Sequence, residues 1–312
     1  MIEVLGVVLP VFLVVGAGYL AVALGAFKAE YADGLMRFTQ TFAIPCLLFL
    51  SIANLDLAAV FRPELLLPFY TGSAFSFSFC ALGAYWLFKR RPGEAVAVGF
   101  CGLFANSVLL GLPIVERAFG ADATQVTVAI VSIHAPFCYG LGIVAMEMAR
   151  ADGRGMAQTS ATVVRQIFSN GLMIGIGLGF VANLTGIILP GGVLSAVELM
   201  ARAGLPAALF GLGGVLVRYG IAGNLGEVGM INLSRLVLHP LIAFVLAHMV
   251  FALPREVVQP IVLTAAMSPG VNTYVFANMY DRAKGTAAAG VLVGTLAAVV
   301  SVTVWLVVLR GI

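Results

Sequence analysis

Apolar residues run along this chain in windows of about twenty, parted by short polar connectors. The windows predict ten membrane-crossing helices, near 4–24, 35–54, 66–88, 95–117, 124–148, 166–188, 194–217, 230–251, 257–280 and 285–309. Turn and charge signals fill the gaps, among them Lys89-Arg-Arg-Pro-Gly93, Pro190-Gly-Gly192, Gly223-Asn224 and Pro254-Arg-Glu256. One window departs from plain apolar filling. Gly99–Gly120 holds Asn106, Ser107, Gly111 and Pro113 in its middle. Proline removes a backbone donor and crowds the carbonyl four residues back. The pattern therefore predicts a helix interrupted over Asn106–Pro113, with polar groups at membrane depth. Irregular backbone survives there only where protein covers it or it lines a cavity, which makes the break a candidate binding site.

Composition agrees with the pattern. Hydrophobic residues make up 61% of the 312 and charged residues 10%, with mean hydropathy +1.07, far from a soluble domain. Basic residues do not interleave with aromatics in a patch, so nucleic acid is not an expected partner; the lipid bilayer is. Cys46, Cys80, Cys101 and Cys138 are isolated in apolar runs, with neither a metal-ligand nor a disulfide spacing. The first 27 residues lack the basic start of a cleavable signal and are read as the first span.

Placement of the basic residues gives an orientation. Lys28, Arg37, Lys89, Arg90, Arg91, Arg150, Arg154, Arg165, Arg218, Arg282 and Lys284 fall on one side, and Arg62, Arg117, Arg255 and Arg310 on the other. Eleven against four puts the first side in the cytoplasm and both termini outside. Arg202 and Arg235 fall near span ends, where reaching out to the interface is the expected behaviour.

A shift of 161 positions aligns the chain with itself. Gly16-x-Gly18-Tyr19 falls on Gly177-x-Gly179-Phe180, Gly25 on Gly186, Pro45-x-x-Leu48-Phe49 on Pro206-x-x-Leu209-Phe210, and Ser107 on Ser268. Each half then holds five spans, and an odd number turns the second half over. The expected fold is an all-α membrane protein of ten helices in two inverted five-helix repeats, 1–150 and 166–312, joined by a cytoplasmic connector, 151–165. This is the plan of secondary transporters. The counterpart of span 4 is span 9, where Ser268-Pro-Gly-Val-Asn272-Thr273 interrupts the apolar run.

These residues carry a resemblance. N-x-x-x-x-G-L-P from Asn106 to Pro113 resembles the auxin efflux carrier family. So do P-x-L-L-F-x-S-I from Pro45 to Ile52, L-P-A-A-L-F-G-L-G from Leu205 to Gly213, R-L-V-L-H-P-L from Arg235 to Leu241, and S-P-x-x-N-x-Y from Ser268 to Tyr274. The likeness runs the whole length, and the short central connector matches the bacterial malate and malonate permease-like branch, related in fold to bile acid:sodium symporters. It implies helices 4 and 9 broken and crossing, and transport of small organic anions: dicarboxylates such as malate or malonate, or auxin-like acids. It also implies crossover asparagines at Asn106 and Asn272, one body of spans 1, 2, 6 and 7 packed through the Gly-x-Gly surfaces, and another of spans 3–5 and 8–10. The setting is a bacterial inner membrane, and a homodimer through a scaffold face is compatible with it.

The chemistry of the crossing points the same way. Beyond each break a half-helix begins near the midplane, and its N-terminus carries about half a positive charge with unpaired N–H groups. That suits a carboxylate. Asn106 and Asn272 offer amides, Ser107, Ser268 and Thr273 hydroxyls, and Gly111, Pro113, Pro269 and Gly270 open the backbone. For the hydroxyls, capping freed carbonyls is the competing role. His134, before Pro136, is the candidate proton relay, with His239 behind it; either could instead satisfy backbone. Asp56, Glu116, Glu147 and Glu198 lie near span ends, so no acid is expected at mid-membrane. No cofactor is expected, and coupling to H+ or Na+ stays open. The rival readings are a sodium-coupled symporter of the bile-acid type, a channel or sensor on a transporter fold, and a membrane enzyme. For the last, neither H-E-x-x-H nor G-x-S-x-G is present.

Overall fold

A computed structural model describes residues 2–149, 171–220 and 224–312. The connector expected at 151–165, with Arg154 and Arg165, lies outside them, as do Arg150 and Gly223. The chain is helical, and no strand occurs among the described residues.

The helices follow the apolar windows: α1 (Ile2–Ala23), α2 (Ala29–Ala53), α3 (Pro63–Trp86), α4 (Pro92–Leu103), α5 (Leu112–Phe119), α6 (Ala121–Ala149), α7 (Gly171–Thr185), α8 (Gly191–Leu216), α9 (Leu225–Val250), α10 (Arg255–Ala265), α11 (Asn272–Met279) and α12 (Lys284–Arg310). Seven of them, 20 to 29 residues long in their apolar stretches, can cross a membrane, and α4 and α7 are shorter apolar helices. Their outward faces are apolar too. On α12, Leu296, Val300, Val304 and Val308 form an exposed stripe, while Val291, Ala298, Val302 and Leu306 are buried on other faces. A helix greasy all round belongs in lipid. The chain is a multi-pass α-helical membrane protein.

Three prolines widen the turn before them, whereas Pro10, Pro68, Pro136, Pro206 and Pro260 sit inside plain α-helix. Turns widened to π geometry at Thr39–Ala43, Ser107–Gly111 and Ser234–Leu238 each end two residues before a proline, Pro45, Pro113 and Pro240, while a fourth, Val245–Val250, does not. The extra residue in the turn draws the crowded carbonyl away from the ring. The carbonyl that Pro240 leaves without its helical donor, Leu236 O, accepts instead from Ser301 Oγ and Trp305 Nε1, both at 2.9 Å. Lipid offers no donor, so protein supplies it.

The described residues fall into two compact units: those of Met1–Val8, Arg62–Ala161 and Tyr219–Ile312, and those of Leu9–Phe61 and Thr162–Arg218. The second is built from most of α1, with α2, α7 and α8, the grouping that the resemblance implies. Only one glycine of each Gly-x-Gly pair makes the contact. A Cβ on Gly18 would lie 1.9 Å from Phe210 O, and one on Gly179 3.0 Å from Phe49 O, whereas Gly16 and Gly177 face open space. Asn183 Nδ2 closes the end of α2 by donating to Ile52 O, Ala53 O and Leu55 O at 2.9, 3.1 and 2.7 Å. This unit also holds an apolar cavity of about 630 Å³, lined among others by Phe42, Pro45, Gly175 and Ile187.

The first unit contains both interrupted helices. Phe100 of α4 stacks on Phe276 of α11, with centroids 3.8 Å apart and planes 7° from parallel. Toward the expected cytoplasmic end, Glu227 is fully buried and takes a bidentate pair from Arg90, Nε to Oε1 at 2.6 Å and Nη2 to Oε2 at 2.9 Å. Thr286 Oγ1 adds a third bond at 3.0 Å. The hydrogen bond to Glu227 holds the Arg90 guanidinium above its ordinary pKa.

A backbone crossing of two broken helices

The interruption in span 4 lies upstream of where glycine and proline signals put it. α4 ends at Leu103, the irregular residues are Phe104–Asn106, and the chain is helical again from Ser107. Gly111 and Pro113 sit inside that renewed helix, Gly111 at φ −63° and Pro113 at the second position of α5. They do not open the backbone. A Cβ on Gly111 would meet Met267 Cγ at 3.5 Å, an ordinary contact. In span 9 the break falls where expected: α10 ends at Ala265 and α11 starts at Asn272, leaving Ser268, Pro269 and Gly270 between them.

What holds span 4 open is the other break. Ala105 and Pro269 form an antiparallel bridge, isolated among the described residues, in which Asn106 N–H donates to Ser268 O and Gly270 N–H to Phe104 O, both at 2.9 Å. Two short stretches that lost their helical partners thus satisfy each other. Pro269 suits its place because a bridge residue needs no N–H on its outer side. Gly270 lets the strands approach, since a Cβ there would come 3.2 Å from Ala105 O.

The remaining polar groups at the crossing can be followed one by one. Ala105 N–H donates to His134 Nε2 at 3.1 Å. Ser73 Oγ donates to Leu103 O at 2.8 Å. Thr273 Oγ1 donates to Gly270 O at 2.8 Å, the capping role weighed above. Ser268 Oγ pairs with Thr295 Oγ1 at 3.5 Å. Gly102 O, Ala265 O and Met267 O all accept from Arg235, at 3.3, 3.3 and 3.1 Å. A further Arg235 N–H is directed at His239 Nδ1, and His239 Nε2–H donates to Phe69 O at 2.8 Å.

Arg235 is therefore misjudged by its place near a span end. It is fully buried and does not reach the interface. Its guanidinium lies across the C-terminal ends of α4 and α10. Each end carries about half a negative charge, so the two together balance one cation, which explains how a charge survives there. Glu227 and Ser73 were likewise not singled out from the sequence; nothing in a lone acid at a span edge or a lone serine within a span announces the partner it will meet. Arg202, by contrast, is exposed and pairs with Glu198 at 3.8 Å.

Three side-chain atoms of the residues just followed stay unmatched: Arg235 Nε, Asn106 Nδ2 and Ser107 Oγ. All three are buried and have no hydrogen-bond partner among the described residues. The last two stand where the second half of span 4 begins. Asn272 opens α11 and is half-buried. The structure thus brings Asn106, Ser107, Ser268, Pro269, Gly270, Thr273 and His134 together, with Asn272 between Gly270 and Thr273 at the start of α11, and leaves Gly111 and Pro113 further along span 4. Among the described residues, no cluster of His, Cys, Asp or Glu could hold a metal ion.

Helices long and apolar enough to cross a membrane, with two broken helices that meet in the first unit, go with one class: an integral membrane transporter. Residues 3–306 match the membrane transport protein family, and the chain belongs to that family, whose members are auxin efflux carrier-like. A Rhizobium meliloti (strain 1021) protein provisionally named a malonate transporter is 28% identical over 313 residues, covering 100% of this chain and 97% of that one. The uncharacterized transporter YfdV of Escherichia coli (strain K12) is 26% identical over 313 residues, 98% of each chain. An uncharacterized transporter of Methanothermobacter thermautotrophicus is 25% identical over 306 residues, 97% of each.

Proposed function

We propose that this transporter is a secondary carrier of a small carboxylate, a dicarboxylate such as malonate or malate being the first candidate, working by alternating access around the crossing. The observation that carries the reading is the pair of buried, unmatched donors, Asn106 Nδ2 and Ser107 Oγ, at the start of a half-helix. A charge count supports it. The C-terminal ends of α4 and α10 offset Arg235, which leaves the half-helix N-termini at Ser107 and Asn272 with about one positive charge between them. One carboxylate of the substrate completes that balance, taking hydrogen bonds from the Asn106 and Asn272 amides and the Ser107 hydroxyl. Gly111 and Pro113 shape the helix behind this site, and Ser268, Pro269, Gly270 and Thr273 hold its floor. The name of the Rhizobium relative favours the same substrate class.

The reading includes ten spans in two inverted repeats, 1–150 and 166–312, in a bacterial inner membrane with both termini outside. Backbone conformation supports the repeat: at the 161-residue offset, Gly25 (φ 77°) pairs with Gly186 (φ 67°) and Gly120 (φ 86°) with Asp281 (φ 54°). Contacts support it as well, because Gly18 against Phe210 is the image of Gly179 against Phe49. For proton coupling, His134 is the relay. Its Nε2 would release the Ala105 amide on taking a proton, so protonation and the shape of the break would change together.

Uptake of radiolabelled malonate into liposomes holding the purified protein tests the reading, run with a pH gradient, a sodium gradient and neither. The expected result is saturable uptake in the wild type. Asn106→Ala and Asn272→Ala should lose at least about tenfold, the worth of one hydrogen bond to a charged group, with membrane expression unchanged. Wild-type transport by both variants would remove the crossing from the claim. No uptake of malonate, malate or other small acids would remove the substrate class.

A further inference from the structure

Carriers that couple to sodium hold the ion with oxygens, and carbonyls freed at a broken helix are donors of that kind. At this crossing such carbonyls are occupied already. Arg235 donates to Gly102 O at the end of α4 and to Ala265 O and Met267 O at the end of α10. The guanidinium is fully buried and makes no ion pair with a carboxylate among the described residues; the helix ends are its counter-charge. Its two terminal nitrogens are matched, and Nε alone has no partner among the described residues. His239 receives one N–H on Nδ1 and is fixed from the other side by donating to Phe69 O. The ring lies so close to α3 that a Cβ on Gly72 would come 2.6 Å from His239 Cδ2.

We propose that Arg235 is a resident cation, a guanidinium tethered in the carbonyl cluster that a co-transported sodium ion would otherwise fill. Sodium then finds these three carbonyls taken and no charge to neutralise, and substrate movement is independent of it. The device also fixes the two broken helices to each other, since one planar fork spans both ends. The inference rests on the placement of Arg235 and not on which acid is carried.

Thermal unfolding of the purified protein tests it without any substrate. Wild-type protein should show the same midpoint in sodium and in choline chloride. Arg235→Ala should unfold at a lower temperature and gain about 2 °C or more from millimolar guanidinium ion, the shift given by a ligand at roughly ten times its dissociation constant. Wild type should gain nothing from the same addition. Arg235→Gln serves if the alanine variant cannot be extracted, with the same rescue expected. A sodium-dependent rise in the wild-type midpoint would overturn the proposal. So would a variant that guanidinium does not rescue, the behaviour of an arginine with a merely structural role. Transport adds a second reading: wild-type uptake equal in sodium and choline, and guanidinium-dependent uptake in Arg235→Ala.

Discussion

Asn106 is the residue on which most depends, because its backbone and side chain do different work. The N–H is spent on the bridge to Ser268, while the amide nitrogen is buried and unmatched. His134 shows the reverse arrangement, with its side chain spent on the backbone of Ala105. Glutamine can accept the same hydrogen bond but cannot carry a proton at neutral pH. His134→Gln should therefore keep malonate exchange within about threefold of wild type and lose uptake driven by a pH gradient; His134→Ala should lose about 1–3 kcal/mol of stability by orphaning the amide. Equal pH-driven uptake in wild type and His134→Gln would remove the relay role. The polar residues that meet at the crossing were legible in the sequence because Asn106, Ser107, Ser268 and Thr273 stand out against their apolar neighbours. Arg235 was not, since a long side chain near a span edge usually finds water, and only tertiary packing turned this one inward.

Among the helices, proline and glycine act differently from their reputation as breakers. Pro45, Pro113 and Pro240 each widen the preceding turn without ending the helix. The break in span 4 falls at Phe104–Asn106, three residues with no breaker among them, because the partner strand at Ser268–Gly270 competes successfully for their backbone. That competition involves residues more than 160 positions apart, which no local pattern reveals. Close approach gives glycine its real constraint. A Cβ on Gly213 would lie 1.8 Å from Val15 O and one on Gly294 2.7 Å from Pro269 Cδ. Gly213→Ala and Gly294→Ala should each cost about 1–3 kcal/mol, whereas Gly111→Ala should be neutral or slightly stabilising. Thermal midpoints would rank them, and a Gly111→Ala penalty as large as the other two would contradict the contact geometry.

At the scale of the whole molecule, composition and spacing were enough for the membrane class and the apolar helical windows, while the grouping of α1, α2, α7 and α8 came from the family resemblance. They left open what ties distant segments together, for which the Arg90–Glu227–Thr286 cluster is an example. Arg90→Ala would strand a fully buried carboxylate and should cost about 3–5 kcal/mol. Glu227→Gln should cost only about 1 kcal/mol, because the arginine, 28% exposed, can turn to water. The order of the two midpoints checks the account; a more damaging Glu227→Gln would contradict it. The central claim is that a carboxylate binds at the backbone crossing, and counterflow of radiolabelled malonate across proteoliposomes tests it most directly, since exchange needs no driving gradient. Wild type should exchange with saturation in external malonate, and Asn106→Ala should require at least about tenfold more malonate for half-maximal exchange. Identical saturation curves for the two proteins would place the substrate elsewhere.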